Sequence, residues 1–287
     1  MEDKNKKKRK NNKKNSNGYY MFMFLIILMF VLVLWSRYIS TKGLVVKEYA
    51  VKNEKIPENF EGFKIVHFSD LHYKSTIYEE ELKKLVNDIN ELKPDIVVFT
   101  GDLIEKRVEI DEKDLEIVTK SLNQIDANIG KYAVKGNHDY ANLYFDSILE
   151  NTDFKVLTNS SELIYSNGNT PIYLVGLDDL REGKVDFSVI NNEANYYSIL
   201  ITHEPDIYDK VKEYNFDLIL AGHSHNGQVR LPLVGSIYKV EGAKKYYDPH
   251  YILGDTEMFI SGGLGTSKYK FRFLNKPSYN LYRLYKK

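Results

Sequence analysis

Cysteine is absent from all 287 residues, which excludes disulfides and thiolate metal sites. The absence suits an oxidising exterior without demanding one. Net charge is missing as well, because 40 Lys/Arg meet 40 Asp/Glu. That zero is the sum of two unlike parts. Residues 1–18 hold eight basic and two acidic residues, a net of +6, and the remainder holds 32 and 38, a net of −6. A mildly acidic body offers no general electrostatic footprint for nucleic acid. No internal repeat is visible, and no low-complexity tract beyond residue 18. With 43% hydrophobic residues a chain of this length can bury a sizeable core, and one α/β domain is the simplest division.

Charge is also missing from Tyr19 to Trp35, a run of 17 residues. As a helix it would reach roughly 26 Å, the short end of a membrane span. Tyr19, Tyr20, Trp35 and Tyr38 flank it where interfacial aromatics belong. The basic cluster Lys4 to Lys14 precedes it, so the positive-inside rule puts the N-terminus in the cytoplasm and the body outside. A cleaved signal peptide is the rival reading. No small-x-small site supports it, because Ser36-Arg37-Tyr38-Ile39-Ser40 is bulky and charged. The expected organisation is a basic cytoplasmic tail at 1–18, a single transmembrane helix at 19–35, a tether at 36–43 and one extracytoplasmic domain at 44–287.

Within that domain, Leu44 to Val51 alternates as an edge strand should. Phe63 to Ser69 reads as a buried strand, Glu79 to Leu92 as a helix with Leu82, Leu85, Val86 and Ile89 on one face, and Asp95 to Thr100 as a second strand. Strand, helix, strand with short links is a βαβ unit and implies a parallel pair. A helix over Leu115 to Ile125 and a strand over Tyr132 to Val134 follow. Short strands then dominate, at Ile172 to Val175, Tyr197 to Thr202, Leu218 to Ala221, Met258 to Ser261 and Tyr279 to Leu284.

Beyond the ends of these strands stand short blocks of metal-ligand residues. They are Asp70-Leu71-His72, Gly101-Asp102, Gly136-Asn137-His138-Asp139, His203, and Gly222-His223-Ser224-His225. Open α/β sheets bind ligands at those carboxyl ends. Asp-x-His or Gly-Asp alone would mean little, but the ordered set takes five of the seven histidines. Carboxylate, imidazole and amide oxygen together suit divalent Mn, Fe or Zn.

Taken in order, the blocks resemble the calcineurin-like metallophosphoesterase superfamily, over about residues 44 to 287. The resemblance implies a layered α/β/β/α sandwich with two mixed sheets. It implies two divalent metal ions, one held by Asp70, His72 and His225, the other by Asn137, His203 and His223, with Asp102 bridging both. Two close cations repel, which is why a shared carboxylate is needed. Only two carboxylates leave the pair net positive, suited to a phosphoryl anion. The expected nucleophile is metal-bound hydroxide. His138, next to ligand Asn137, is expected to protonate the leaving group as general acid from near its ordinary pKa. Asp139 would orient the local turn or an imidazole.

Other features bear on substrate. Asn226-Gly227-Gln228 after His225 is similar to the Gly-His-x-His-x-Gly-Gln form of membrane-associated members, with Asn226 where Gly is usual. The Asp-Arg-Gly element of the family's protein phosphatases is lacking, and Leu103-Ile104-Glu105-Lys106-Arg107 stands there instead. Gly262-Gly263-Leu264-Gly265 lacks the following Lys-Ser/Thr of a P-loop and is read as a close-approach loop near the metals. His67 reads as packing within its strand, and His250 as a loop residue able to line a cleft. The last 24 residues hold seven Lys/Arg and no Asp/Glu. They form either a solvated edge strand or a patch facing anionic lipid or phosphate.

The expected activity is hydrolysis of a phosphodiester, pyrophosphate or phosphomonoester, of a phosphorylated small molecule or a lipid-linked or envelope substrate. Family analogy points to a UDP-linked diacylglucosamine precursor, but that chemistry is cytosolic and the outward orientation argues against copying it. A non-catalytic scaffold would show a damaged ligand set, and a nuclease would need an electropositive cleft.

Overall fold

The computed structural model describes residues 2–141, 144–192 and 194–287, with side chains from residue 17 onward. In chain order the elements are α1 (Glu2–Tyr38), β1 (Val45–Asn53), β2 (Lys64–Phe68), α2 (Glu79–Leu92), β3 (Ile96–Phe99), α3 (Glu112–Asn123), β4 (Gly130–Ala133), α4 (Tyr144–Leu149), β5 (Phe154–Val156), β6 (Ser160–Ile164) and β7 (Ile172–Gly176). There follow β8 (Ser198–Ile201), α5 (Tyr208–Val211), β9 (Leu218–Ala221), β10 (Arg230–Leu231), β11 (Gly235–Ser236), β12 (His250–Leu253), β13 (Thr256–Ile260) and β14 (Ser278–Lys286).

Two six-stranded mixed sheets carry the fold. One runs β1-β14-β2-β3-β4-β5 and the other β12-β13-β9-β8-β7-β6. The short runs such as Ile96-Val97-Val98-Phe99 are buried on both faces, as central parallel strands must be. Their period of two divides the core. Val97 and Phe99 join the layer under α2, α3 and α4. Ile96 and Val98 face the second sheet, among Ile172, Leu174, Ile199 and Leu220. Val175, Leu200, Ile219 and Met258 form a third layer outside that sheet with Ile207 and Val211. The α/β/β/α order expected from the resemblance is the order observed.

Local signals act where they stand. Three glutamates in the first turn of α2 meet the positive end of its dipole, and Lys93 takes the left-handed conformation before Pro94 ends the helix. The Asp111 side chain caps α3 by accepting from the Asp114 N–H, starting the helix three residues before Leu115. β5, β6 and β12 carry no expectation from sequence. β5 and β6 close sheet edges with alternating, half-exposed residues whose pattern is weak.

At the N-terminus, α1 is unbroken, and its stretch Asn17–Tyr38 is apolar enough to cross a membrane, with residues 17–34 exposed and Ser36 buried. The side chains of most of the basic tail, residues 1–16, lie outside the described residues. The segment 36–43, expected as a short tether, is packed against the domain. Its first three residues complete α1, and Ser40 and Thr41 are buried. The Trp35 ring meets Phe273 edge-on at 5.7 Å between centroids. Arg272 N–H donates to the Ser36 carbonyl at 3.0 Å, and the Arg37 guanidinium donates to the Lys270 carbonyl at 3.2 Å. The loop between β13 and β14 therefore clasps the end of α1.

Candidate metal centre

Five strand ends meet at one rim of the sandwich. Asp70 and His72 follow β2, Asp102 follows β3, Asn137 and His138 follow β4, His203 follows β8, and His223 and His225 follow β9. Asp70, His72, Asp102, His223 and His225 all have left-handed backbone, with φ from 42° to 64°. Such strain costs about 1–3 kcal/mol per residue and persists only where the surroundings enforce it. Cross-loop bonds do so here: Asp70 N–H donates to Gly101 O at 2.9 Å and His72 N–H to Asp102 O at 3.0 Å. Glycine is required at Gly101, whose φ is +86° and whose missing Cβ would collide with the Gly136 backbone. At Gly263 a Cβ would press on the His225 ring. That close approach is the role expected for the glycine loop.

The side chains converge in two groups. His72 Nε2 lies 3.2 Å from His225 Nε2 and 3.8 Å from Asp70 Oδ1, and His225 Nε2 lies 3.4 Å from the same oxygen. In the second group His203 Nε2 lies 3.1 Å from His223 Nδ1. Asp102 Oδ2 stands between the groups, 3.4 Å from His72 Nε2 and 3.3 Å from His203 Nε2. Donor atoms around one ion at ~2.1 Å bond length sit roughly 3.0–3.4 Å apart in octahedral or tetrahedral arrangements, and every spacing here but the 3.8 Å one falls in that range. Asp70 Oδ1 and Asn137 Oδ1 are buried without a hydrogen-bond partner, as oxygens reserved for a cation would be.

Outer atoms orient the rings. His203 Nδ1 donates to Thr100 O at 2.6 Å, and His223 Nε2 donates to Glu241 O at 2.7 Å, leaving the inward nitrogen of each for a ligand bond. Burial pushes His72 down, but the carboxylates of Asp70, Glu105 and Asp102 outweigh it and hold the ring at about 10. The same excess of negative charge would favour a divalent cation. Burial pushes His225 down to about 3, with His72 and Arg272 adding to it, so it is a neutral donor.

His138 lines the cleft above these groups. Its N–H donates to Asp102 Oδ1 at 2.7 Å, and its ring stands edge-on to His72 at 4.5 Å. Its pKa departs from the expected ordinary value, because burial pushes it down to about 4. A phosphoryl anion beside the ring would pull it back up. Asp139 orients loops rather than an imidazole. Its two oxygens accept N–H bonds from Asp102 and Leu103 at 2.8 Å and Gly136 at 2.9 Å, tying the β3 loop to the β4 loop.

Two residues carry more of the site than sequence reasoning assigned to them. Glu105 is buried with Oε2 3.2 Å from His72 Nδ1 and 3.6 Å from His138 Nδ1. An acid three positions after Asp102 was its one sequence signal. Arg272 is fully buried, donating to the carbonyls of Gly262, Gly263 and Gly265 at 2.6–2.9 Å. An Arg between Phe271 and Phe273 in a basic tail gave no such signal. Asn226 takes a glycine-like φ of 49°, which explains how it stands where Gly is usual. His67 is a packing residue, bonded to Tyr282 Oη and Thr100 Oγ1. His250 does not line the cleft. It begins β12, stacks on Phe259 and pairs with Glu257 at 2.8 Å.

The cleft itself, about 610 Å³, has two characters. Asp102, Asn137, His138, His223 and His225 form its floor, with Lys106, Arg107 and Arg181 beside them. Its other wall is apolar and includes Met29, Leu32 and Val33 of α1 with Phe271 and Phe273.

Comparison with known proteins agrees with this geometry. The family model for calcineurin-like phosphoesterase matches residues 63–227, a span holding all eight expected site residues. Metallophosphoesterase YkuE of Bacillus subtilis is 34% identical over 255 residues, covering 87% of this chain and 88% of that one. Phosphodiesterase YaeI of Escherichia coli is 27% identical over 232 residues, covering 79% and 84%. UDP-2,3-diacylglucosamine pyrophosphatase LpxG of Chlamydia muridarum is 26% identical over 252 residues, covering 69% and 74%.

Proposed function

The chain belongs to the calcineurin-like phosphoesterase family and is a phosphoric ester hydrolase, and on that premise we propose that it is a membrane-anchored, two-metal enzyme that cleaves a phosphodiester or pyrophosphate of a lipid-linked substrate. The observation that carries the substrate class is the cleft, whose floor is His138 and its neighbours and whose wall is Met29, Leu32 and Val33 of the apolar helix. A water-soluble nucleotide has no use for such a wall. An acyl chain does. LpxG, a relative named for a diacylglucosamine substrate, supports the class without fixing the molecule.

Asp70, His72, His225 and Asp102 would hold one cation, and Asn137, His203, His223 and Asp102 the other. Bound there, such ions would supply an acidified water and positive charge for the phosphoryl oxygens. Mn, Fe and Zn all accept this donor set. Around them the protein's own groups divide the work. Lys106, Arg107 and Arg181 draw the anionic head into the cleft. His138 delivers a proton to the leaving oxygen, which converts a poor alkoxide leaving group into a neutral alcohol. Glu105 holds the His72 and His138 rings at their working angles from behind. Asp139 keeps the loops bearing Asp102 and Asn137 in register.

With the basic tail inside, the domain from residue 44 onward faces outward, so an exported or envelope lipid-linked phosphate fits better than a cytosolic precursor. The test is metal analysis of the purified full chain, followed by assays on phosphomonoesters, phosphodiesters and lipid-linked pyrophosphates. About two metals per chain and a preference for the lipid-linked substrate are expected. Preference for a soluble nucleotide would overturn the substrate class, and inertness towards every phosphate ester would overturn the catalytic reading.

A further inference from the structure

The two-stranded ribbon β10–β11 belongs to neither sheet. It carries Leu231, Leu233, Val234, Ile237 and Tyr238, all exposed, with Leu233 at 108% and Val234 at 69% of full exposure. Leu233 is also left-handed, at φ 65°, a position where a water-facing turn favours Gly or Asn. Five apolar side chains exposed within the eight residues from Leu231 to Tyr238 are the kind of concentration that marks an interaction surface. The base of the ribbon is firmly held. Arg230 pairs with Asp248 at 2.6 Å and donates to Asn226 O at 2.9 Å, and Val229 bridges to Phe273, the ring that packs on Trp35. The ribbon is thus joined through one residue to the end of α1.

Leu231, Ile237 and Tyr238 line the same cleft as Met29, Leu32 and Val33. Met29 lies six residues before Trp35, or about 9 Å deeper along a helix axis, inside the apolar run. The cleft wall therefore begins at hydrocarbon depth if α1 spans a membrane. Tyr238 and Tyr269 are exposed beside it, and Lys268 Nζ sits within 6 Å of both rings, at 5.8 and 5.3 Å. Aromatic rings with adjoining lysines match the headgroup zone of an anionic bilayer.

From this continuity we propose that the β10–β11 ribbon is a second membrane contact, inserted beside α1 in the same leaflet, so that the mouth of the cleft opens into the bilayer. An amphiphile would then enter sideways and present its phosphate to the site with its chains still among the lipids. The inference rests on the membrane-anchored reading above and adds a surface to it.

The absence of cysteine makes the test clean. The full chain carrying Leu233→Cys, labelled with an environment-sensitive fluorophore, is reconstituted in phosphatidylglycerol/phosphatidylethanolamine vesicles with or without doxyl-labelled lipid. Asp255→Cys, exposed before β13 at the amino ends of the strands, is the aqueous control. Blue-shifted emission quenched by doxyl lipid at 233 but not at 255 is expected. Aqueous emission at both positions would overturn the proposal. So would shielding at 233 that follows protein density rather than quencher, which would give the ribbon to a second copy of the chain.

A paired assay reads the consequence. Leu233→Asp with Val234→Asp, at the tip and outside the cleft lining, should leave hydrolysis of soluble bis(p-nitrophenyl) phosphate unchanged. Hydrolysis of a diacylglycerol p-nitrophenyl phosphodiester in the same vesicles should fall at least roughly 10-fold, the equivalent of taking even one of the two aliphatic side chains out of the lipid. Equal effects on both substrates would overturn the portal. If the parent chain cleaves neither ester, the catalytic reading fails, while the depth measurement still decides the insertion.

Discussion

Asp139 offers a sharp test of how the site is assembled, because it touches no proposed cation and holds two loops that do. Its oxygens take three buried N–H groups at 2.8–2.9 Å, from Asp102, Leu103 and Gly136. Asp139→Ala removes the acceptors and leaves three donors unsatisfied. Each such donor costs about 1–3 kcal/mol, and water entering the vacated space would recover part of it, so a total of about 3–5 kcal/mol is expected. For a domain of this size each kcal/mol lowers Tm by about 2–4 °C, which makes the expected fall about 6–20 °C. Asp139→Asn keeps one oxygen but turns an amide N–H₂ towards a donor, and should fall about half as far. Thermal unfolding of the full chain in detergent gives the shifts, and elemental analysis gives metal content. Both Asp102 and Asn137 lie on the clamped loops, so the alanine variant should also hold less than half the parent's metal. A Tm within 2 °C of the parent, or full metal content beside a large drop in Tm, would refute the clamp.

Three more outcomes follow from the site and the topology. His138→Ala should keep its metals yet lose roughly 10²–10⁴-fold in rate on esters with poor leaving groups, and much less on activated aryl esters. Equal losses on both would make His138 a phosphate-positioning group, and lost metal would make it a ligand. Asp102→Asn should lower occupancy of both cations whereas His225→Ala lowers chiefly one, and unchanged metal in Asp102→Asn would remove the bridge. Protease added to intact cells should digest the body while residues 1–18 stay protected, and the reverse pattern would turn the enzyme inward towards cytosolic lipid precursors.

How much of this was written locally differs from part to part. The bounds of α2, the βαβ unit around it and the strand-end blocks all depend on neighbours within a few residues. Periodicity, capping and turn chemistry operate at that range, and a reading of the chain finds them. The same range explains the eight proposed site residues, since they sit in short blocks behind five strands. Tertiary structure decided what is brought together from afar. Glu105 is an unremarked acid until β2 and β4 place His72 and His138 on either side of it. Arg272 is one more cation in a basic tail until the loop after β13 wraps its carbonyls around it and the loop after β9 brings up the His225 ring. His250 reads as a loop residue until sheet pairing gives it Glu257 and Phe259. Distance in sequence is greatest for the segment 36–43, expected as a short tether. Its anchors, Lys270, Arg272 and Phe273, lie more than 200 residues on, as the separation of 233 between Arg37 and Lys270 measures. No local pattern encodes such a pairing, because its stability comes from surface buried only once both sheets have closed. Those contacts set the apolar helix against the cleft, the placement on which the proposed entry of substrate from a membrane rests.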